Sequence, residues 1–128
     1  MHGARNYPFR KQQSDLDIAL SDDTQDDEYL SLLSDHLPLI FDQARPDLVI
    51  FLAGADPYQA DQLGRLSLSK AGLAARDALV FEACDHRGVP VVVSMGGGYA
   101  PNIEDIVQIH FNTLLIAQGQ PPRLHDDA

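Results

Sequence analysis

Cysteine is nearly absent from this chain of 128 residues, with Cys84 its only copy, and tryptophan is missing altogether. A lone thiol excludes an internal disulfide and any cysteine-based zinc motif, which makes a reducing compartment the default expectation. Positive charge is also scarce: nine Lys and Arg face nineteen Asp and Glu, for a net charge of −10. Gripping a phosphate backbone takes clustered cations, so nucleic acid is not expected as a direct partner, although an acidic surface would suit a cationic substrate or partner. Long apolar runs are lacking too. The opening segment Met1 to Arg10 has no apolar stretch for a signal peptide, and no run approaches the ~20 residues that span a bilayer, so the expectation is a soluble, cytoplasmic protein without membrane contact. No histidine stands at i, i+4 from another, and His36, His86, His110 and His125 read as solvated or packing residues.

What is present is a 45% apolar chain, enough for one core and too short for two domains. Residues 1–23 show no clean period and read as loop, with one short strand around Leu16 to Leu20. Thr24-Gln25-Asp26-Asp27 has the look of a capped helix start, and Tyr29, Leu33, Leu37, Ile40, Phe41 and Ala44 then share one helical stripe. Pro38 lies inside that stripe, lacks an N–H and predicts either a kink or a break into two helices. After Arg45-Pro46-Asp47 comes a buried-type strand from Leu48, closed by Pro57. Ser69 caps a second helix with Leu73, Ala74, Val80, Phe81 and Cys84 on its face, and Gly88 suits its left-handed stop. Val89 to Met95 is a second apolar strand, of the kind covered on both faces. A final helix from about Pro101 is expected to bury Ile103, Ile106, Val107, Phe111 and Leu114 and to end at Gly119, leaving 119–128 as a flexible tail.

Strand, helix, strand, helix predicts an α/β fold with a parallel sheet and flanking helices, in which ligands sit beyond the C-terminal strand ends. That rule brings Asp56, after the first strand, and Tyr99, after the second, to one crevice. Asp56 reads as a metal ligand or as a loop acid bonded to neighbouring amides. Tyr99 follows Gly96-Gly97-Gly98, which either cushions a presented phenol or forms a Gly-rich turn with a surface tyrosine. The glycines could also cradle a phosphate, but the Lys-Ser/Thr of a P-loop and the spaced glycines of a dinucleotide fingerprint are absent. Asp15 and Asp17, at i, i+2, suit one side of an extended segment or a turn.

The ordered set of motifs carries more than its parts. His2-Gly3 with Asn6 to Lys11, Ser14-Asp15-Leu16-Asp17, Asp26 to Leu30, Pro46 to Val49 running to Ala53-Gly54-Ala55-Asp56-Pro57 with Asp61 and Leu63-Gly64, and Gly96-Gly97-Gly98-Tyr99 together resemble the zinc-dependent histone deacetylases, in their bacterial and class IV-like branch. The resemblance runs from His2 to about Ala117 and implies the three-layer arginase/deacetylase α/β fold, with residues 1–118 as its C-terminal portion. It implies Asp56 as a zinc ligand, Tyr99 as the catalytic oxyanion donor, and Tyr7, Leu63, Gly97 and Gly98 as lining for an acyl-lysine tunnel. The substrate it implies is an acetylated protein or a small acetamide. Asp23-Thr24-Gln25-Asp26 departs from the family's usual Gly-Thr-Gly-Asp. More consequentially, the family's Asp-x-His ligands and paired histidines precede the His-Gly stretch and have no counterpart here. Catalytic zinc needs three protein ligands, so tight zinc binding and catalysis are not expected of these residues alone. A missing N-terminal half or self-association would follow. The rivals are a non-catalytic α/β remnant or interaction module, and a flavodoxin-like anion-binding module.

Overall fold

The computed structural model describes residues 1–124. Its elements in order are β1 (His2–Gly3), β2 (Ala19–Leu20), α1 (Asp26–Ala44), β3 (Val49–Gly54), α2 (Lys70–Arg87), β4 (Val91–Gly96) and α3 (Ile103–Ala117). Two small parallel sheets result. β1, which the pattern does not predict, pairs with β2, which falls where one short strand is expected, and β3 pairs with β4 in a register that sets Val49 beside Val91 and Gly54 beside Gly96. Mixed helices and parallel strands are what the alternating pattern predicted.

Helix starts and stops follow local chemistry, with one exchange of partners. Ser69 caps α2 by accepting from the Gly72 N–H at 2.9 Å, and Gly88 ends it at φ +63°. α1, however, begins after Gln25 with no side-chain cap. The Thr24 hydroxyl is buried and donates instead to the Ser21 carbonyl at 2.9 Å. Asp26, the first residue of α1, accepts from the Ser69 N–H at 2.9 Å and from its hydroxyl at 2.6 Å, which locks the starts of α1 and α2 together. Pro38 does not split α1, which runs unbroken to Ala44. Both Ser34, whose carbonyl loses its donor, and Pro38 are exposed, so water can take the freed bond.

The core is centred on Leu20, Tyr29, Ala55, Leu68, Leu73, Ile106 and Ile109, and burying one leucine of this kind is worth about 1.5–3 kcal/mol. Phe51 of β3 meets Phe81 of α2 edge-on, ring centres 5.8 Å apart, so α2 covers the sheet face that carries Phe51. The other face is bare. Ile50, Leu52 and Val92 are 75%, 66% and 53% exposed, although an all-apolar strand predicts cover on both sides.

α3 is also turned from its predicted orientation. Ile106 is buried, but Ile103, Val107, Phe111 and Leu114 are exposed and Asn112 and Thr113 point inward. Their polar groups are satisfied there: Thr113 donates to the buried Asp77 at 2.5 Å, and the Asn112 carbonyl oxygen accepts from the Arg123 N–H at 2.8 Å. Likewise Ile40 and Ala44 of the α1 stripe are exposed. The Arg123 bonds tie the first part of the tail to α3, and the remainder of the expected flexible tail, 125–128, lies outside the described residues. None of the helices is long and apolar enough to cross a membrane, among the described residues.

Candidate active site

β3 and β4 end level, and the Ala55 N–H extends the ladder to the Gly96 carbonyl at 2.9 Å. Asp56 and the segment Gly97 to Tyr99 therefore leave the sheet side by side. The Asp56 carboxylate is packed between Gly54 and Gly97, because a Cβ on Gly97 would stand 2.6 Å from its Oδ1 and one on Gly54 would also collide with it. Gly97 is further required by its φ of +65°, which disfavours any side chain. Burial pushes the Asp56 carboxyl above the usual aspartate range; its own backbone amide pulls it down, Asp61 pushes it further up, and Arg76 opposes that.

Asp61 joins the two loops. Its Oδ1 accepts from the Leu63 and Gly64 amides at 2.9 and 2.7 Å, and its Oδ2 accepts from the Tyr99 N–H at 2.7 Å. The Tyr99 carbonyl in turn accepts from the Gln62 N–H at 3.3 Å. Both main-chain polar groups of Tyr99 are thus held by the loop that carries Asp56, while the residue as a whole remains 59% exposed.

Beneath the strand end lies Arg76, 4% exposed, which donates to the Gly54 carbonyl at 2.7 Å and pairs with Asp77 at 2.7 Å. Burial first, and Arg76 next, depress the pKa of His110 on α3, against the opposing pull of Asp77 and the Gly97 backbone. The buried Nδ1 of His110 has no partner among the described residues.

The site residues expected from sequence divide between two places. A cleft of about 370 Å³ is lined by Asp56, Pro57, Tyr29, Tyr7, Lys11 and Asp17 among others, so the N-terminal loop does reach the strand end. Leu63, Gly97, Gly98 and Tyr99 are not part of its lining, and Leu63 and Tyr7 are 66% and 85% exposed. Gly98, at φ +106°, packs where a Cβ would meet the Ile106 side chain at 2.8 Å. Asp61 was legible only as a motif member, and His110 as a packing residue. Arg76 and Asp77 gave a signal that the pattern reading passed over, since Asp77 stands at i+4 from Leu73 and i−3 from Val80 on the buried stripe.

No group of three or more His, Cys, Asp or Glu that could hold a metal ion exists among the described residues. Asp56 offers one carboxylate where catalytic zinc takes three protein ligands, so the residues present do not by themselves fit that ion.

The profile of the histone deacetylase domain matches residues 2–114. An uncharacterised protein of Picosynechococcus sp. is 44% identical over 110 residues, covering 86% of this chain and 37% of that protein. Histone deacetylase 2 of Arabidopsis thaliana is 33% identical over 102 residues, covering 77% of this chain and 26% of that protein. Among solved structures, an HDAC homologue complexed with SAHA superposes with a TM-score of 0.76 at 21% identity, over 93% of this chain and 34% of the other. The acetylpolyamine aminohydrolase from Burkholderia pseudomallei superposes with a TM-score of 0.75 at 17% identity, over 94% of this chain and 37% of the other. These two likenesses establish the fold, part of the arginase/deacetylase α/β architecture. This chain spans 26–37% of the length of these four relatives.

Proposed function

The chain belongs to the histone deacetylase family, and from that premise we propose that it supplies the C-terminal portion of a deacetylase site, one that hydrolyses an N-acetyl amide to acetate and a free amine. Asp56 is one ligand of the zinc on which the family generally depends, and Tyr99 is the oxyanion donor. Water adds to the acetyl carbon, the carbonyl oxygen gains negative charge, and the C–N bond then breaks. The Tyr99 phenol donates a hydrogen bond to that oxygen, an interaction that strengthens as charge develops and so lowers the barrier. Asp61 and Gln62 anchor the Tyr99 backbone, which limits where the phenol can swing. Zinc would need further ligands from outside the described residues and, once held, would polarise the acetyl carbonyl.

The observation that carries this reading is the tie between the Asp56 loop and the Tyr99 backbone through Asp61. An acetylated protein or a small acetamide fits the implied chemistry. Anion binding on the glycines is disfavoured, because the Asp56 carboxylate already packs against Gly97 and would repel a phosphate. The lone metal ligand favours a second reading, a non-catalytic interaction module derived from the family.

A chimera separates the two. Residues 2–114 are substituted for the aligned region of the Picosynechococcus relative, and zinc content and hydrolysis of acetyl-lysine peptides and N-acetylated polyamines are measured. The proposal expects hydrolysis that Tyr99→Phe lowers by about 10²–10³-fold, with Asp56→Asn abolishing stoichiometric zinc. A folded, zinc-loaded chimera that ignores Tyr99→Phe would rule out Tyr99 as oxyanion donor.

A further inference from the structure

We infer that the buried ion pair of Lys70 and Asp105 aims the Tyr99 phenol: it pins the first turn of α3, and a stiff lever, Ala100-Pro101-Asn102, carries that position back to Tyr99. The inference deepens the deacetylase reading and rests on it for the role of Tyr99. Lys70 and Asp105 act as positioning residues.

Lys70, the first residue of α2, is buried, and its Nζ stands 2.7 Å from Oδ1 of Asp105, whose side chain is 18% exposed. The same carboxylate accepts longer bonds from the Asn102 amide and the Tyr58 hydroxyl, each at 3.4 Å. The Lys70 ammonium lies 6.0 Å from the centre of the Tyr58 ring. Three pieces of chain thus meet at Asp105: the start of α2, the first turn of α3, and the loop that carries Asp56, Tyr58 and Asp61. Ser69, next to Lys70, is itself locked to Asp26 of α1, so the anchor stands on two helix starts.

The chain on the two sides of Tyr99 differs in stiffness. Before it, Gly97 and Gly98 stand at φ +65° and +106° and have no side chains, which leaves the approach to Tyr99 hinge-like. After it, the ring of Pro101 fixes φ, and the proline restricts Ala100 in turn. Asn102 then caps α3 by accepting from the Glu104 N–H at 3.1 Å. Asp61 and Gln62 hold the peptide groups of Tyr99 and so fix where the residue is. Its direction is set from the stiff side, by whatever fixes the first turn of α3.

A buried ion pair adds little stability of its own, because taking both charges out of water offsets most of their attraction and apolar groups of similar volume often serve as well. What it adds is direction. Apolar contact is non-directional, so it would let the first turn of α3 slide, whereas an ammonium on one carboxylate oxygen holds a single geometry. That matters at Tyr99, since an oxyanion donor has to lie within hydrogen-bond reach of where the charge develops, and a misplacement of about 1 Å can cost 10²-fold in rate.

The test separates aim from stability. Lys70→Met strands a buried carboxylate and should lower the melting temperature, whereas Lys70→Met combined with Asp105→Leu removes both charges and should return most of that loss. In the chimera with the Picosynechococcus relative, kcat for acetyl-lysine peptide should fall about 10–10²-fold in both variants with KM little changed, because both lack the directional anchor. In the full 128-residue chain, nitrogen relaxation should show the order parameter of the Ala100 amide falling from about 0.85 to below about 0.6 in both. Phe41→Ala truncates a buried ring near the other end of α2, where Arg87 lies 4.8 Å from its centre. It should lower the melting temperature and leave both kcat and Ala100 as they are. The inference is overturned if kcat returns with the melting temperature in the double variant, if Ala100 stays ordered in Lys70→Met, or if Phe41→Ala loosens Ala100 equally. A chimera that ignores Tyr99→Phe sinks the deacetylase reading instead, and the Ala100 measurement then decides alone whether the ion pair holds the Tyr99 segment.

Discussion

Removing the Asp61 carboxylate should loosen both loops of the site at once, and by graded amounts that its geometry dictates. Asp61 accepts three main-chain N–H bonds, from Leu63 at 2.9 Å, Gly64 at 2.7 Å and Tyr99 at 2.7 Å. A hydrogen bond to a buried charged group is worth about 1.5–3 kcal/mol. Asp61 and Gly64 are only half-buried and Leu63 and Tyr99 are exposed, so water can replace much of what is lost and about 0.5–1 kcal/mol per bond is the better figure. Asp61→Ala should then cost about 2 kcal/mol, or roughly 6–10 °C in melting temperature for a chain of this size. Asp61→Asn keeps an oxygen facing Leu63 and Gly64 and sets an amide NH₂ against the Tyr99 N–H, so it should cost about half as much. Thermal unfolding gives the ranking, and amide hydrogen exchange locates it: the Tyr99 amide should exchange about five- to tenfold faster in either variant, while the Leu63 and Gly64 amides quicken only in Asp61→Ala. Unchanged exchange at Tyr99 in Asp61→Ala would show that this carboxylate does not hold the Tyr99 loop.

Gly97→Ala and Gly88→Ala place the same methyl at nearly the same backbone angle, φ +65° and +63°, but only the first runs into another group. The left-handed conformation alone costs an alanine about 1 kcal/mol, so Gly88→Ala should lose about that much. Gly97→Ala should lose clearly more, because its methyl meets the Asp56 carboxylate at 2.6 Å, and equal losses in chemical denaturation would contradict that packing. Asp56→Asn should raise the melting temperature of the isolated chain at neutral pH. Burial holds the Asp56 carboxyl above the ordinary aspartate value, so its contribution to stability is present below that value and is lost as pH rises through the raised one. The gap between Asp56→Asn and the parent should therefore be widest above the raised value and close as pH falls toward the ordinary one. A lower melting temperature for Asp56→Asn at pH 7 would reverse the sign.

Much of the fold was legible because local chemistry set it. Ser69 and Gly88 bound α2 where their side chain and backbone freedom predict, and the two apolar runs became parallel strands in register. Thr24 misled because its buried hydroxyl donates to the Ser21 carbonyl and the helix starts one residue later, after Gln25. The orientation of α3 was not legible from apolar spacing, since Asn112 and Thr113 gain more from buried partners than Val107 or Phe111 would from a surface that is not covered. Half of the candidate site could be placed by rule: strand ends in a parallel sheet bring Asp56 and Tyr99 together. The other half depends on contacts between loops far apart in sequence, and spacing carries no information about those.

By itself, the sequence determined which residues sit at the strand ends and to which family they belong, because periodicity, caps and ordered motifs act over short stretches of chain. Only the tertiary structure decided that Asp61 fastens Tyr99 to the Asp56 loop, that Arg76 buttresses the strand end, and that one face of the β3–β4 sheet stands open. Those are facts of long-range packing, where a carboxylate bonds whichever amide the fold delivers and an apolar strand is covered only where another layer lies against it.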